Sequence, residues 1–272
     1  MSENTEQAND EMSTWWRTDI IDMSPGVIRF RGRGIQDLIG NVSFAQMIWF
    51  MVRGDMPTKE QAYLFECALV SAVDHGPQAP SIAAARMAAT CGLGLNNVMA
   101  TGVNMLGDVH GGAGEQCVEL YLTIQQLQTQ GQPLENAVKK GLSSWRAENG
   151  KFVSGYGHRF HKPVDPRAPR LLDLVDEAAN HGVVSGEFAA IGRQIEKELA
   201  DEKGGRAIPM NIDGATAVIF AELGFPAELA RGVFCLSRSV GILAHGWEQM
   251  QQGGRNKGPM PVKYLPKYTG PK

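Results

Sequence analysis

Nowhere in this chain do apolar side chains run unbroken for more than six positions, the longest stretch being Met47 to Val52. They recur instead at helical spacing, in segments with recognisable starts and stops. Such spacing dictates a protein built mainly from amphipathic helices, because a 3.6-residue repeat gathers those positions on one face. Thr58 and Gln61 have the form of a capping box, after which Ala62, Phe65, Leu69 and Ala72 make a stripe that stops before Gly76-Pro77. Ser81 is placed to cap the next helix. Leu171, Leu174, Val175 and Ala178 stop at Gly182; Ser185 then starts a helix with Phe188, Ile191, Ile195 and Leu199, ending at Gly204-Gly205. Pro226 opens a long final segment that keeps a helical period from Ala230 to Trp247 and ends at Gly253-Gly254. The expected fold class is all-α.

Composition removes several kinds of function. With 43% hydrophobic and 20% charged residues the chain is an ordinary globular one. Its 26 basic and 29 acidic residues leave a net charge of −3 and no global basic field, so neither nucleic acid nor a membrane is an expected partner. A six-residue apolar run also falls far short of the roughly 20 residues that span a bilayer. Glu3, Glu6, Asp10 and Glu11 lie in a start that lacks both a basic head and an apolar stretch. Residues 1–18 therefore read as a flexible acidic tail rather than a secretory leader. Cys67, Cys91, Cys117 and Cys235 are too scattered for a ligand pair or a disulfide framework, and read as buried, inert thiols of a cytoplasmic protein.

Chemistry is expected in three loops rich in glycine or proline: Asp74 to Pro80, Gly107 to Gly114, and Gly155 to Pro169. They hold His75, His110, His158 and His161, and a fifth histidine, His245, lies in the final helix. Imidazole both gives and takes protons near neutral pH. For any one of these histidines alone a structural role is the commoner outcome, so the case rests on their company. Asp213 precedes the apolar run Ala215 to Leu223, where it serves as an N-cap or as a base held ionised by the helix dipole. Arg167 and Arg238 stand in neutral or apolar surroundings and need an anionic partner, either a protein carboxylate or a substrate one. Neither a phosphate-binding P-loop nor a complete dinucleotide loop is present, and His158 with His161 has no third ligand for a metal.

Taken together these loops resemble the citrate synthase superfamily, in order, from about Val42 to Pro271. The matching stretches begin with Met56-Pro57-Thr58-Lys59-Glu60, Val73-Asp74-His75-Gly76-Pro77 and His110-Gly111-Gly112-Ala113. They continue with Gly155-Tyr156-Gly157-His158-Arg159 running into Asp165-Pro166-Arg167, then Asn211-Ile212-Asp213, Ser237-Arg238 and Tyr268-Thr269-Gly270-Pro271. The resemblance implies an all-α fold with a large helical domain (residues 19–114 and 209–272) interrupted by a smaller one (residues 115–208), working as a homodimer. It implies three catalytic residues: Asp213 as base toward acetyl-CoA, His110 as donor to the enolate oxygen, and His158 as acid toward the oxaloacetate carbonyl. It further implies oxo-acid binding by His75, Arg167 and Arg238, and a CoA loop of Phe152, Val153, Ser154, Gly155, Tyr156 and Gly157. No metal and no cofactor are implied beyond coenzyme A as part of the substrate. Arg255 and Lys257 are offered as phosphate contacts from their charge alone.

Two departures qualify the match: the chain is shorter than most free-standing synthases, and one stretch near its end differs. The synthases carry an I-R-P-R stretch before the closing Tyr-Thr-Gly-Pro, whereas Met260-Pro261-Val262-Lys263-Tyr264-Leu265-Pro266 stands here, and the lysine does not reproduce a two-pronged arginine contact. That feature and the Asp74-His75-Gly76-Pro77 wording resemble citryl-CoA lyases and the citryl-CoA-cleaving module of ATP citrate lyase. His110 is the synthase-like residue. The expected activity is reversible cleavage of citryl-CoA to acetyl-CoA and oxaloacetate, the alternative being citrate or 2-methylcitrate synthesis with thioester hydrolysis. A non-catalytic acyl-CoA-binding regulator and a metal-dependent hydrolase using His158, His161 and Asp213 are the readings from other classes.

Overall fold

The computed structural model describes residues Trp15–Pro271. Most of the predicted acidic tail therefore lies outside the described residues. Two compact units make up the chain, the first ending at Tyr63 and the second beginning at Leu64.

In the first unit, β1 (Ile21–Ser24), β2 (Val27–Phe30) and β3 (Arg33–Gly34) form a small antiparallel sheet, with Ile21 opposite Phe30 and Arg29 opposite Gly34. The sheet is the exception to the all-helical expectation. Its turn has proline at 25 and glycine at 26, and Gly26 takes φ +79°, the left-handed geometry a Pro-Gly turn needs. After α1 (Ile35–Leu38) comes α2 (Phe44–Arg53), opened by a reciprocal Ser43–Gln46 capping box and closed by Gly54 at φ +88°. The Thr58–Gln61 capping box forms as expected, each residue bonding the other's backbone, and launches α3 (Lys59–Ser71).

Helices dominate the second unit: α4 (Pro80–Thr90), α5 (Leu95–Asn104), α6 (Ala113–Thr129), α7 (Leu134–Asn149), α8 (Arg167–Asn180), α9 (Glu187–Asp201), α10 (Ile212–Glu222) and α11 (Ala227–Gln252). Helix α10 is apolar all round and almost wholly buried, as a helix enclosed by α6, α8 and α9 must be. The 26-residue α11 packs along α4, α5 and α6, and begins and ends at the expected Pro226 and Gly253. Two predicted caps are corrected. Pro80 occupies the first helical position of α4, so Ala79 is its N-cap and Ser81 lies inside the first turn. Gly186 rather than Ser185 caps α9, where the Glu222 carboxylate accepts the otherwise orphaned N–H groups of Gly186, Phe188 and Ala189. Among the cysteines only Cys117 is buried, and Cys91 is exposed, so burial does not extend to all four.

Candidate active site

The predicted chemical groups in the second unit sit in loops or at helix starts, except Arg238 and His245, which lie within α11. His110 follows a tight turn in which Gly107 N–H donates to the His110 carbonyl (2.8 Å). The turn delivers its ring to the start of α4, where Nε2 accepts the Ser81 peptide N–H (3.2 Å) and lies 2.9 Å from Ser81 Oγ. Since a peptide N–H only donates, the neutral ring carries its proton on Nδ1. His158 is set the opposite way. Its Nδ1 accepts the peptide N–H groups of Phe160 (3.1 Å) and His161 (3.0 Å), leaving the proton on Nε2.

Asp213 lies in the first turn of α10, but Asn211 is the N-cap, accepting the N–H groups of Asp213 (2.9 Å) and Gly214 (3.3 Å). The capping role expected for Asp213 thus belongs to its neighbour. A short backbone ladder ties this helix start to the 155–157 loop: Asn211 N–H donates to Gly155 O (2.9 Å), and Gly157 N–H to Pro209 O (2.7 Å). Asn211 Nδ2 adds a bond to Gly157 O (2.8 Å). Behind the ladder the hydroxyl groups of Tyr121 and Tyr156 pair at 2.9 Å, with Tyr121 also donating to Gly214 O (3.2 Å). One scaffold therefore positions both His158 and Asp213.

Arg238 is 4% exposed and donates Nε–H to the Ala72 carbonyl (3.0 Å). Burial lowers its pKa, against the fields of Asp213 and Asp74. Arg167 grips the fully buried Asp165 with two bonds of 2.9 and 2.8 Å, so its first anionic partner is a protein carboxylate. Burial pushes Asp165 up, but these bonds outweigh it and hold the carboxyl below its ordinary value. The ring of His75 stands 5.4 Å from that of His158, nearly perpendicular at 82°, and the ring of His161 lies 4.4 Å from His158.

All six predicted substrate and catalytic residues lie within one electrostatic neighbourhood. Burial raises the Asp213 pKa, opposed by the positive fields of Arg238 and Arg167. Burial lowers His110, helped by Arg238; it lowers His75, helped by Arg167 and Arg238; and it lowers His158, helped by His161. The result is a basic carboxylate beside neutral imidazoles and fixed guanidinium groups.

A cleft of about 630 Å³ opens beside His158 and is lined by Phe152, Val153, Tyr156 and Gly157 of the predicted CoA loop. Gly155 and Ser154 lie behind that lining: Gly155 is in the backbone ladder, and Ser154 Oγ donates to Gln116 (2.7 Å). Sequence reasoning missed the cleft's cations, Arg146, Lys151, Lys162, Lys203 and Arg206. Arg146 is matched by Glu202 through bonds of 2.7 and 2.6 Å, and the other four form no salt bridge among the described residues. Arg255 and Lys257, offered earlier as phosphate contacts, do not line the cleft. Their segment is pinned to the end of α4, where Lys257 N–H donates to Thr90 Oγ1 (3.0 Å).

Fold and site together define an α-helical protein that gathers a half-buried carboxylate, neutral imidazoles and guanidinium groups beside a cation-lined cleft. Residues 59–259 match the family described as citrate synthase, C-terminal domain, and the chain belongs to the citrate synthase family. It is similar to citryl-CoA lyase from Hydrogenobacter thermophilus, at 33% identity and a TM-score of 0.82 over 94% of this chain and 95% of that one. It is also similar to the citrate synthases of Acidithiobacillus ferridurans (26% identity) and Deinococcus radiodurans (28%), covering 77% and 79% of this chain. Those matches cover 52% and 55% of the two synthases, so the chain spans about half the length of the curated relatives it matches. ATP citrate lyase from Methanothrix soehngenii shares the fold, with a TM-score of 0.77 at 20% identity over 97% of this chain and 44% of that one. No helix among the described residues is long and apolar enough to cross a membrane.

Proposed function

We propose that this protein reversibly cleaves citryl-CoA to acetyl-CoA and oxaloacetate. Likeness to a citryl-CoA lyase over nearly the full length of both chains is the observation that carries the direction. In the carbon–carbon forming sense, Asp213 removes a proton from the acetyl methyl group, and burial strengthens it as a base. His110 meets the enolate oxygen with Nδ1–H, the donor that its bonded Nε2 leaves available. His158 points Nε2–H at the carbonyl oxygen as carbon attacks carbon, and the alkoxide that forms takes its proton from solvent. In cleavage the hydroxyl proton passes to solvent while His158 Nε2–H hydrogen-bonds the alkoxide and the carbonyl oxygen it becomes; the carbon–carbon bond breaks, His110 holds the enolate, and Asp213 returns a proton to carbon.

His75, Arg167 and Arg238 bind the oxo-acid in this reading, the two guanidinium groups matching its carboxylates. The CoA portion occupies the 630 Å³ cleft with its phosphates against Lys151, Lys162, Lys203 and Arg206. Residues 115–208 are the smaller lobe, and residues 19–114 and 209–272 the larger. The working assembly is a homodimer, supported by an exposed apolar stripe on α11 of Leu236, Val240, Leu243 and Trp247. Four free thiols support a reducing, cytoplasmic setting.

Incubating the protein with citryl-CoA and identifying products by mass spectrometry tests the proposal. Acetyl-CoA with oxaloacetate is the expected outcome. Citrate with free CoA would move the assignment to a synthase, and unconsumed citryl-CoA would overturn both.

A further inference from the structure

Helix α11 grips the chain leading into His75 at four successive points. Ser237 Oγ donates to Leu69 O (2.5 Å), Arg238 Nε to Ala72 O (3.0 Å) and Gly241 N–H to Val73 O (3.0 Å). The fourth is His245, whose Nε2 lies 3.2 and 3.3 Å from the two Asp74 carboxylate oxygens. The fit leaves no slack. At Gly241 a Cβ would collide with the Val73 carbonyl oxygen and sit 2.8 Å from Asp74 Oδ1.

Asp74 passes this hold around His75. Its Oδ2 accepts the Gly76 N–H (3.0 Å), so one carboxylate braces the residue before His75 and the residue after it. His245 is itself fixed from the other side. Arg86 Nη1 donates to His245 Nδ1 (3.2 Å), which puts the imidazole proton on Nε2, facing Asp74. Arg86 is held in turn by the Glu248 carboxylate and by Gln252 Oε1 (2.8 Å), both one or two turns further along α11. The relay ends on the turn carrying a ring 5.4 Å from His158, while His245 does not line the cleft.

We propose that His245 is a positioning residue for the oxo-acid site: it connects Arg86 to Asp74 and thereby holds the Asp74–Gly76 turn that aims His75. The inference rests on the assignment of His75 to oxo-acid binding. A purely architectural role would weaken folding without distinguishing one ligand from the other. A positioning role acts on one ligand only.

The test compares wild type, His245→Leu and His245→Gln in steady-state condensation of acetyl-CoA with oxaloacetate, and in calorimetric titration with oxaloacetate, which needs no turnover. His245→Leu is expected to raise the KM and Kd for oxaloacetate about tenfold, the scale of one lost charge-assisted hydrogen bond. The KM for acetyl-CoA should stay within about twofold and kcat within about threefold, an effect on ligand binding alone. His245→Gln retains an N–H donor toward Asp74 and is expected to recover most of the loss. If His245→Leu does not fold, Arg86→Met reads the relay from its far end and should show the same selectivity. Unchanged oxaloacetate affinity in a folded variant, or equal loss for both substrates, overturns the proposal. A wild-type protein that binds no oxaloacetate removes the assignment of His75, and the proposal with it.

Discussion

Adding one methyl group at Gly155 should damage stability and turnover together. Gly155 has φ +83°, and its Cβ would stand 2.6 Å from Cys117 Sγ and 2.8 Å from the Gly214 Cα. Carbon atoms in contact prefer roughly 3.5–4 Å, so the methyl group is about 1 Å too close on two sides. Neither neighbour yields easily. Cys117 is fully buried in α6, and Gly214 is backbone in the first turn of α10. The left-handed φ costs about 1–2 kcal/mol for a non-glycine residue, and overpacking adds about 1–3 kcal/mol. Gly155→Ala should therefore lose about 2–5 kcal/mol, a large part of the 5–15 kcal/mol typical of a folded protein. Because Asp213 precedes Gly214 and His158 follows the same loop, a 1 Å displacement should also lower kcat on the order of 100-fold. Urea unfolding and citryl-CoA turnover measure the two effects, and adding Cys117→Ala should recover part of the stability by removing one of the colliding atoms. A single variant within about 1 kcal/mol of wild type would refute this account of the loop.

Asp213→Asn should leave CoA-ester binding nearly intact and lower turnover at least about 100-fold, the usual scale for a general base; near-normal kcat in a folded variant would remove the aspartate from that role. Arg238→Lys should chiefly raise the KM for the oxo-acid, since a point charge replaces a buried fork of donors, and an unchanged oxo-acid dependence would take the residue out of the site. The pKa values of His75, His110 and His158 are lowered by burial in the folded state, so the unfolded chain binds protons more readily. Their contribution to stability is fully present above the unfolded value of about 6.5 and is lost as pH falls through the lower folded values. Urea midpoints measured across this range should fall with acidification, and a flat response after replacing all three histidines with glutamine would assign the loss to them.

Helix ends were legible where a special residue marks them. Pro226 and Gly253 bound α11, Gly182 follows α8, and the Thr58–Gln61 box opens α3 as read. Three caps, those of α4, α9 and α10, were misassigned, and at α10 nearby residues compete on nearly equal terms. Asn211 and Asp213 are both good capping types, and only the three-dimensional path decides which turns inward. At α4 the information was present, since Pro80 is at home as the first helical residue and so makes Ala79 the cap. The strands of the first sheet are two to four residues long and mostly exposed, too short for alternation to stand out, and the Pro25-Gly26 turn between two of them went unread. The grouping of His75, His158, Arg167, Arg238 and Asp213 was recoverable only through the family resemblance. Lys203 and Arg206 resemble any solvated charge until folding gathers them into the lining of one cleft with Lys151 and Lys162.

What separates the two histidines proposed for catalysis is which peptide groups face them, a difference that side-chain substitution alone would miss. His110 Nε2 receives the N–H of Ser81, at a helix start where that donor has no partner within the helix. His158 Nδ1 receives two N–H groups from the turn that follows it. Opposite ring nitrogens are therefore engaged, and the neutral rings must be opposite tautomers, Nδ1–H at His110 and Nε2–H at His158. Long-range proton–nitrogen NMR of the imidazole rings at neutral pH distinguishes them, because protonated and bare nitrogens resonate far apart. The bare nitrogen should be Nε2 for His110 and Nδ1 for His158. Ser81→Ala should leave the His110 pattern in place, because it removes the 2.9 Å hydroxyl contact but keeps the peptide donor. The same tautomer at both sites, or a loss of the His110 pattern in Ser81→Ala, would mean that the backbone does not set these rings, and the donor roles assigned to them would have to be withdrawn.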